Sequence, residues 1–197
     1  MKKIVFFIGI TLLISCENRS LVSDKNVIIH IQPFDDFSKS DLQMVAECLR
    51  TIYPTIVVNP SIPIPQSARN ISRTRYRADS LIHILSRQTH EGHLTIGLTN
   101  QDISITKNGV ADWGVMGLGF CPGKSCVAST FRLSKKNKLE QLHKVAIHEL
   151  GHTEGLPHCL EKSCFMRDAE GKNPTNEETE FCKRCKKKLI NKGWLLK

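Results

Sequence analysis

The sequence predicts a single α/β domain, of the α+β kind, built on a mixed, twisted sheet. Three observations carry this reading. Strand-like and helix-like segments alternate along the chain, which suits a sheet covered by helices. There is no internal repeat, and no shift in composition marks a second domain. With 197 residues, 40% of them hydrophobic and 24% charged, the chain can bury one core and is too apolar for a disordered polymer.

The elements follow in order. Asn26 to Pro33 is rich in β-branched residues and reads as a strand. Ser38 or Ser40 caps a helix that runs to Ile52, with Leu42, Val45, Ala46 and Leu49 on one face. Cys48 on this helix reads as a small apolar residue that stays unpaired. Thr55 to Val58 is a short strand, and the proline-rich stretch Asn59 to Gln66 is a loop or irregular edge. Ser72 to Thr89 reads as a helix capped by Ser72, with Leu81, Ile82, Ile84 and Leu85 apolar. His93 to Thr99 is a strand, and Asn100 to Asp112 is a polar loop. Trp113 to Phe120 is a strand whose glycines permit close backbone approach, and Cys126 to Leu133 is another. Lys136 to Glu154 is an amphipathic helix with Leu139, Leu142, Val145, Ala146 and Leu150 at helical spacing. Glu177 to Asn191 is a C-terminal helix.

The first residues read as a leader. Lys2 and Lys3 precede an apolar run from Ile4 to Ile14, too short to span a bilayer and suited to a signal peptide. It ends Leu13-Ile14-Ser15-Cys16, which resembles the lipobox of bacterial lipoproteins. That resemblance implies cleavage after residue 15 and acylation of Cys16. Residues 16–25 would form a flexible tether and 26–197 the folded domain. The expected location is exported and membrane-anchored, on the periplasmic or cell-surface side, through the lipid at Cys16. The net charge of +9 owes much to Lys183, Arg184, Lys186, Lys187, Lys188, Lys192 and Lys197. Such a run reads as a solvated helix face; no nucleic-acid partner is expected, and the chain is expected to be a monomer.

The long helix ends in His148-Glu149-Leu150-Gly151-His152, followed by Thr153-Glu154-Gly155-Leu156-Pro157-His158. His148 and His152 lie four apart and share one helical face, so they can grip one ion. Glu149 is turned about 100° around the axis from His148, beside the metal rather than on it. Gly155 can adopt the positive φ that ends a helix, and Pro157 keeps the helix from resuming. The reversed chain then returns His158 toward the pair. Three imidazoles leave one tetrahedral position open, the mark of a catalytic zinc. Glu149 would serve as general base on water bound there. His30, His83, His90, His93 and His143 are scattered and read as structural or exposed. His90 and His93 are not expected to bind metal.

Cys159, Cys164, Cys182 and Cys185 follow as two chelating pairs that can close a second, structural zinc site. Disulfides are the alternative in an oxidising compartment. Cys121 and Cys126 flank a Pro-Gly turn, and a stapling disulfide between them is expected in preference to metal binding.

The run from His148 through Met166, followed by Cys182 and Cys185, resembles the archaemetzincins, a family of metzincin zinc peptidases. The resemblance implies a compact metzincin-like domain with an active-site helix. It implies catalytic zinc on His148, His152 and His158, with Glu149 as base. A structural zinc would sit on Cys159, Cys164, Cys182 and Cys185, and Met166 would be the Met-turn residue beneath the site. The implied substrate is a peptide or protein paired along an edge strand, for which Trp113 to Phe120 is the candidate. The fifteen residues between Met166 and Cys182 form a shorter loop than the family's usual one. Two other readings compete: a non-catalytic zinc-stabilised module using the basic C-terminal helix, and a hydrolase acting on another bond.

Overall fold

A computed structural model describes residues 27–197. The leader, Cys16 and the tether lie outside the described residues. Among the described residues no helix is long and apolar enough to cross a membrane.

Strand β1 (Ile28–Pro33) leads to helix α1 (Lys39–Ile52), whose first turn is capped by Ser38 accepting from the Asp41 amide at 3.1 Å. Strand β2 (Ile56–Val58) and a 3₁₀ turn (Gln66–Ala68) follow. A two-residue strand β3 (Tyr76–Arg77) runs straight into helix α2 (Ala78–Gln88). Then come β4 (His93–Thr99), β5 (Ile103–Lys107), β6 (Val110–Val115), β7 (Gly117–Gly119) and β8 (Ser125–Ser129). Helices α3 (Lys138–Thr153) and α4 (Lys183–Ile190) complete the chain.

The main sheet has the order β2-β1-β4-β8-β7. Its first four strands are parallel, and β7 is antiparallel to β8 with Leu118 opposite Val127. Side chains alternate across it. Cys126 and Ala128 join the core beneath α1 and α3, whereas Val127 joins the core beneath α2. The sheet is therefore sandwiched, as parallel strands require. Leu142, Ala146 and Leu150 of α3 are fully buried against it, which fixes the helix that carries the first two histidines.

A second sheet, β3-β5-β6, stands beside this sandwich. It corrects the expected polar loop at residues 100–112. Asn108 and Gly109 both have positive φ, 52° and 79°, and close a two-residue hairpin between β5 and β6. The expected strand from Trp113 to Phe120 is split at Met116 and serves both sheets. The helix expected from Ser72 begins only at Ala78, because the side chain of Asn70 accepts from the amides of Thr74 and Arg75 in a turn. The strand expected to reach Leu133 stops at Ser129. The last helix starts at Lys183 rather than Glu177, because the amides of Thr179 and Phe165 bond across to Ser163 and Glu180 instead of along a helix.

Candidate active site

The end of α3 is a Schellman turn. Gly155 has φ 88°, its amide donates to His152 O at 2.8 Å, and the Leu156 amide donates to Gly151 O at 3.0 Å. The chain reverses there and carries His158 back over the helix. The ligand atoms of His148, His152 and His158 lie within 4.8 Å of one another.

The imidazoles are oriented from behind. Nδ1 of His148 lies 2.6 Å from Phe165 O, and Nδ1 of His152 lies 2.7 Å from Leu156 O. Nδ1 of His158 is 3.3 Å from an oxygen of Asp168. A carbonyl only accepts, so the first two rings carry their protons on Nδ1 and lone pairs on Nε2. Those two Nε2 atoms face each other at 3.0 Å. Burial, reinforced by repulsion from His152, pushes His148 down to about 3, and burial lowers His152 as well. A second proton therefore does not relieve the contact near neutral pH. A cation does, and this donor set suits one.

Glu149 is buried, and its carboxyl lies directly beneath β7. A Cβ on Gly117 would stand 2.6 Å from its Oε1, and one on Gly119 would stand 2.6 Å from the Glu149 carbonyl oxygen. Only glycine lets the strand come this close. Burial pushes Glu149 up to about 8. Above the histidines opens a cleft of about 670 Å³, walled by the β5–β6 hairpin, β7, α3 and the segment after Met166.

The hairpin wall is tied down by charge. Asp102 holds Arg75 at 2.6 Å and Arg132 at 2.8 Å. Sequence reasoning missed this pair, and it missed Asp168 behind His158. The Asn108-Gly109 dipeptide was the available signal for the hairpin. Nothing in the sequence separates Asp168 from the other acidic residues.

Met166 is fully buried under the helix, and its carbonyl accepts from the Cys159 amide at 2.7 Å. The four sulfurs of Cys159, Cys164, Cys182 and Cys185 lie within 4.8 Å of one another. Cys159 and Cys182 are 3.7 Å apart, near the ~3.8 Å edge of a tetrahedron with 2.3 Å metal–sulfur bonds. All four are free thiols. Amides of Met166 and Cys182 donate to Cys164 Sγ, and Arg184 donates to Cys159 Sγ; burial outweighs the amide bonds at Cys164 and pushes its thiol up, as burial also does at Cys185. Burial opposes ionisation of Cys182, but hydrogen bonds from Cys185 and its neighbours outweigh it and bring this thiol to about 7.

The expected disulfide between Cys121 and Cys126 is not formed. Both are free thiols, Cys126 buried in the core and Cys121 exposed at the cleft. Cys48 is likewise free. His30 and His93 contact each other at 2.9 Å through ring nitrogens. The three-histidine and four-cysteine sets are the groups of this kind among the described residues that could hold a metal ion.

The pattern of peptidase family M54 matches residues 25–191. The chain belongs to peptidase family M54. It is accordingly a zinc metallopeptidase of the archaemetzincin kind. The archaemetzincin of Halobacterium salinarum is 28% identical over 176 residues, spanning 82% of this chain and 99% of that protein. That of Methanocaldococcus jannaschii is 30% identical over 175 residues, spanning 84% and 94%. Among solved structures, the archaemetzincin of Archaeoglobus fulgidus superposes with a TM-score of 0.71 at 27% identity, covering 82% of this chain and 99% of that one. The M54 fold agrees with the α/β domain expected from the sequence.

Proposed function

We infer that this chain hydrolyses peptide bonds at the three-histidine site, with Glu149 as general base, while exported and tethered through Cys16. The observation that carries the catalytic part is the pair of facing, proton-free Nε2 atoms with the Glu149 carboxyl alongside. His148, His152 and His158 would hold the catalytic zinc, and Cys159, Cys164, Cys182 and Cys185 a structural one. When bound, zinc at the histidines supplies Lewis acidity that polarises a carbonyl and acidifies water. Glu149 takes a proton from the attacking water and returns it to the departing amine nitrogen. Burial suits it to both tasks: it raises the carboxyl, and a nearby cation draws the value back toward neutrality. Asp168, Phe165 O and Leu156 O keep the imidazoles aimed. Met166 supports the helix from below. β7, the last strand of its sheet, offers its backbone to an extended substrate.

Zinc counting on the purified chain, with a mixed peptide library offered to wild type and Glu149→Gln, tests this reading. Two zinc ions and cleavage lost in the variant are expected. Equal inactivity of both would leave the non-catalytic module. The tether rests on the leader and on Ser15-Cys16. Labelled fatty acid should enter the wild type and not Cys16→Ala.

A further inference from the structure

From the histidines the cleft extends between Lys144 and Val145 of α3 and the segment holding Pro174, Thr175 and Glu178. Glu178 is only 3% exposed, yet it lines this cleft. Two cations act on it through space, Lys144 and Arg167. Both are bonded elsewhere. Lys144 Nζ is held at 2.8 Å by Thr175 O and at 2.8 Å by Glu140. Arg167 Nη1 is held at 2.6 Å by Glu177. Among the described residues Glu178 has neither a hydrogen bond nor an ion pair. Burial pushes its acid up to about 7, the expected response of a carboxyl taken from water without a bonded partner.

We propose that Glu178 selects substrates with a lysine or arginine side chain at the residue that enters the cleft beside Val145 and Lys144. The proposal rests on the peptidase reading and names the substrate class of the same site. Val145 and Pro174 offer apolar surface to the methylene stem while the charged head meets the carboxylate. A guanidinium can engage both oxygens at once. A neutral side chain in the same place leaves the carboxylate unpartnered, and that difference is the source of discrimination. Lys144 acts on Glu178 only through space, its ammonium being placed on Thr175 O and Glu140 and not bonded to the carboxyl. Glu178 is a specificity-determining residue and takes no part in bond breaking.

The test uses the full-length, metal-loaded chain and matched peptides that differ at one position, carrying Lys, Arg, Gln, Met or Glu. The wild type should favour Lys or Arg over Met in kcat/KM by at least about tenfold at one position. Glu178→Gln should bring that ratio near one, and Glu178→Lys should turn it toward the Glu peptide. A merely structural role would lower every peptide alike and keep the ratio, which would overturn the proposal. Cleavage without a basic preference at any position would also overturn it, while leaving the peptidase reading intact. Peptide binding to Glu149→Ala separates the remaining cases. Glu178-dependent, tighter binding of basic peptides to this variant, beside a metal-loaded wild type that cleaves none of them, would sustain the selection and sink the hydrolysis. Loss of both cleavage and preference would sink both.

Discussion

Gly151 and Met166 interlock beneath the histidines: a methyl group added to Gly151 would stand 2.5 Å from the Met166 sulfur. Gly151 lies between His148 and His152, so its missing side chain is what lets Met166 rise against the histidine-bearing end of the helix. In an exposed helix, glycine to alanine would gain about 1 kcal/mol. Here the overpacking penalty of roughly 1–3 kcal/mol opposes it. Gly151→Ala should therefore lower the melting temperature and loosen metal binding. Thermal unfolding with and without added zinc measures both. Met166→Ala should cost more, roughly 2–5 kcal/mol, through the cavity it leaves.

Glu149→Gln should keep its zinc and lose activity by about 10²–10⁴-fold in kcat. Metal content by mass spectrometry, beside steady-state rates, separates loss of the base from loss of the ion. A variant that kept full kcat would remove Glu149 from the chemistry.

Gly117→Ala should damage the same step from the opposite side. Its new Cβ would meet the Glu149 carboxyl at 2.6 to 2.9 Å and push it from its place. A displacement of that order should cost about 100-fold in turnover, with overall stability little changed. Rates and thermal unfolding measured together check this.

Stability should fall as pH rises through the range where Glu178 is perturbed. Its folded value of about 7 lies above the ordinary 4.5, so the folded state holds a proton the unfolded chain has released. The slope of stability against pH is then negative between about 4.5 and 7. Denaturant melts at pH 4 and pH 8 should show wild type losing on the order of 2 kcal/mol more than Glu178→Gln.

If the cysteine cluster holds the proposed structural zinc, Cys164→Ser should lose that ion and destabilise the C-terminal segment, since a site of this kind contributes folding energy directly. Chelator should lower the melting temperature of wild type and change the variant less. Differential scanning fluorimetry gives the comparison.

The convergence of the site's side chains was legible because it is local. His148, Glu149, His152, Gly155 and His158 sit within one helix end, where spacing dictates geometry. The four cysteines are likewise fixed by two short spacings. The β5–β6 hairpin was hidden because Ser104, Thr106 and Lys107 make its strand polar, and only the Asn108-Gly109 turn announced it. Helix α2 was overextended because Ser72 looks like a cap, whereas Tyr76 is claimed by pairing with Ile103. The delayed start of α4 has the same origin. Phe165 and Glu180 are neighbours only in three dimensions, and their hydrogen bond outcompetes the helix. Glu178 could not be singled out at all, since its isolation depends on where Lys144 and Arg167 place their hydrogen bonds.

His158 and Cys159 are consecutive, so a single peptide unit joins the two ligand sets. Any ion that rigidifies one set thereby lowers the ordering cost of the next ion at the other. Such coupling is reciprocal by thermodynamic necessity. Stripping either ion should weaken retention of its neighbour by an equal factor, so the chain would fill and empty as a cooperative pair rather than as two independent vessels.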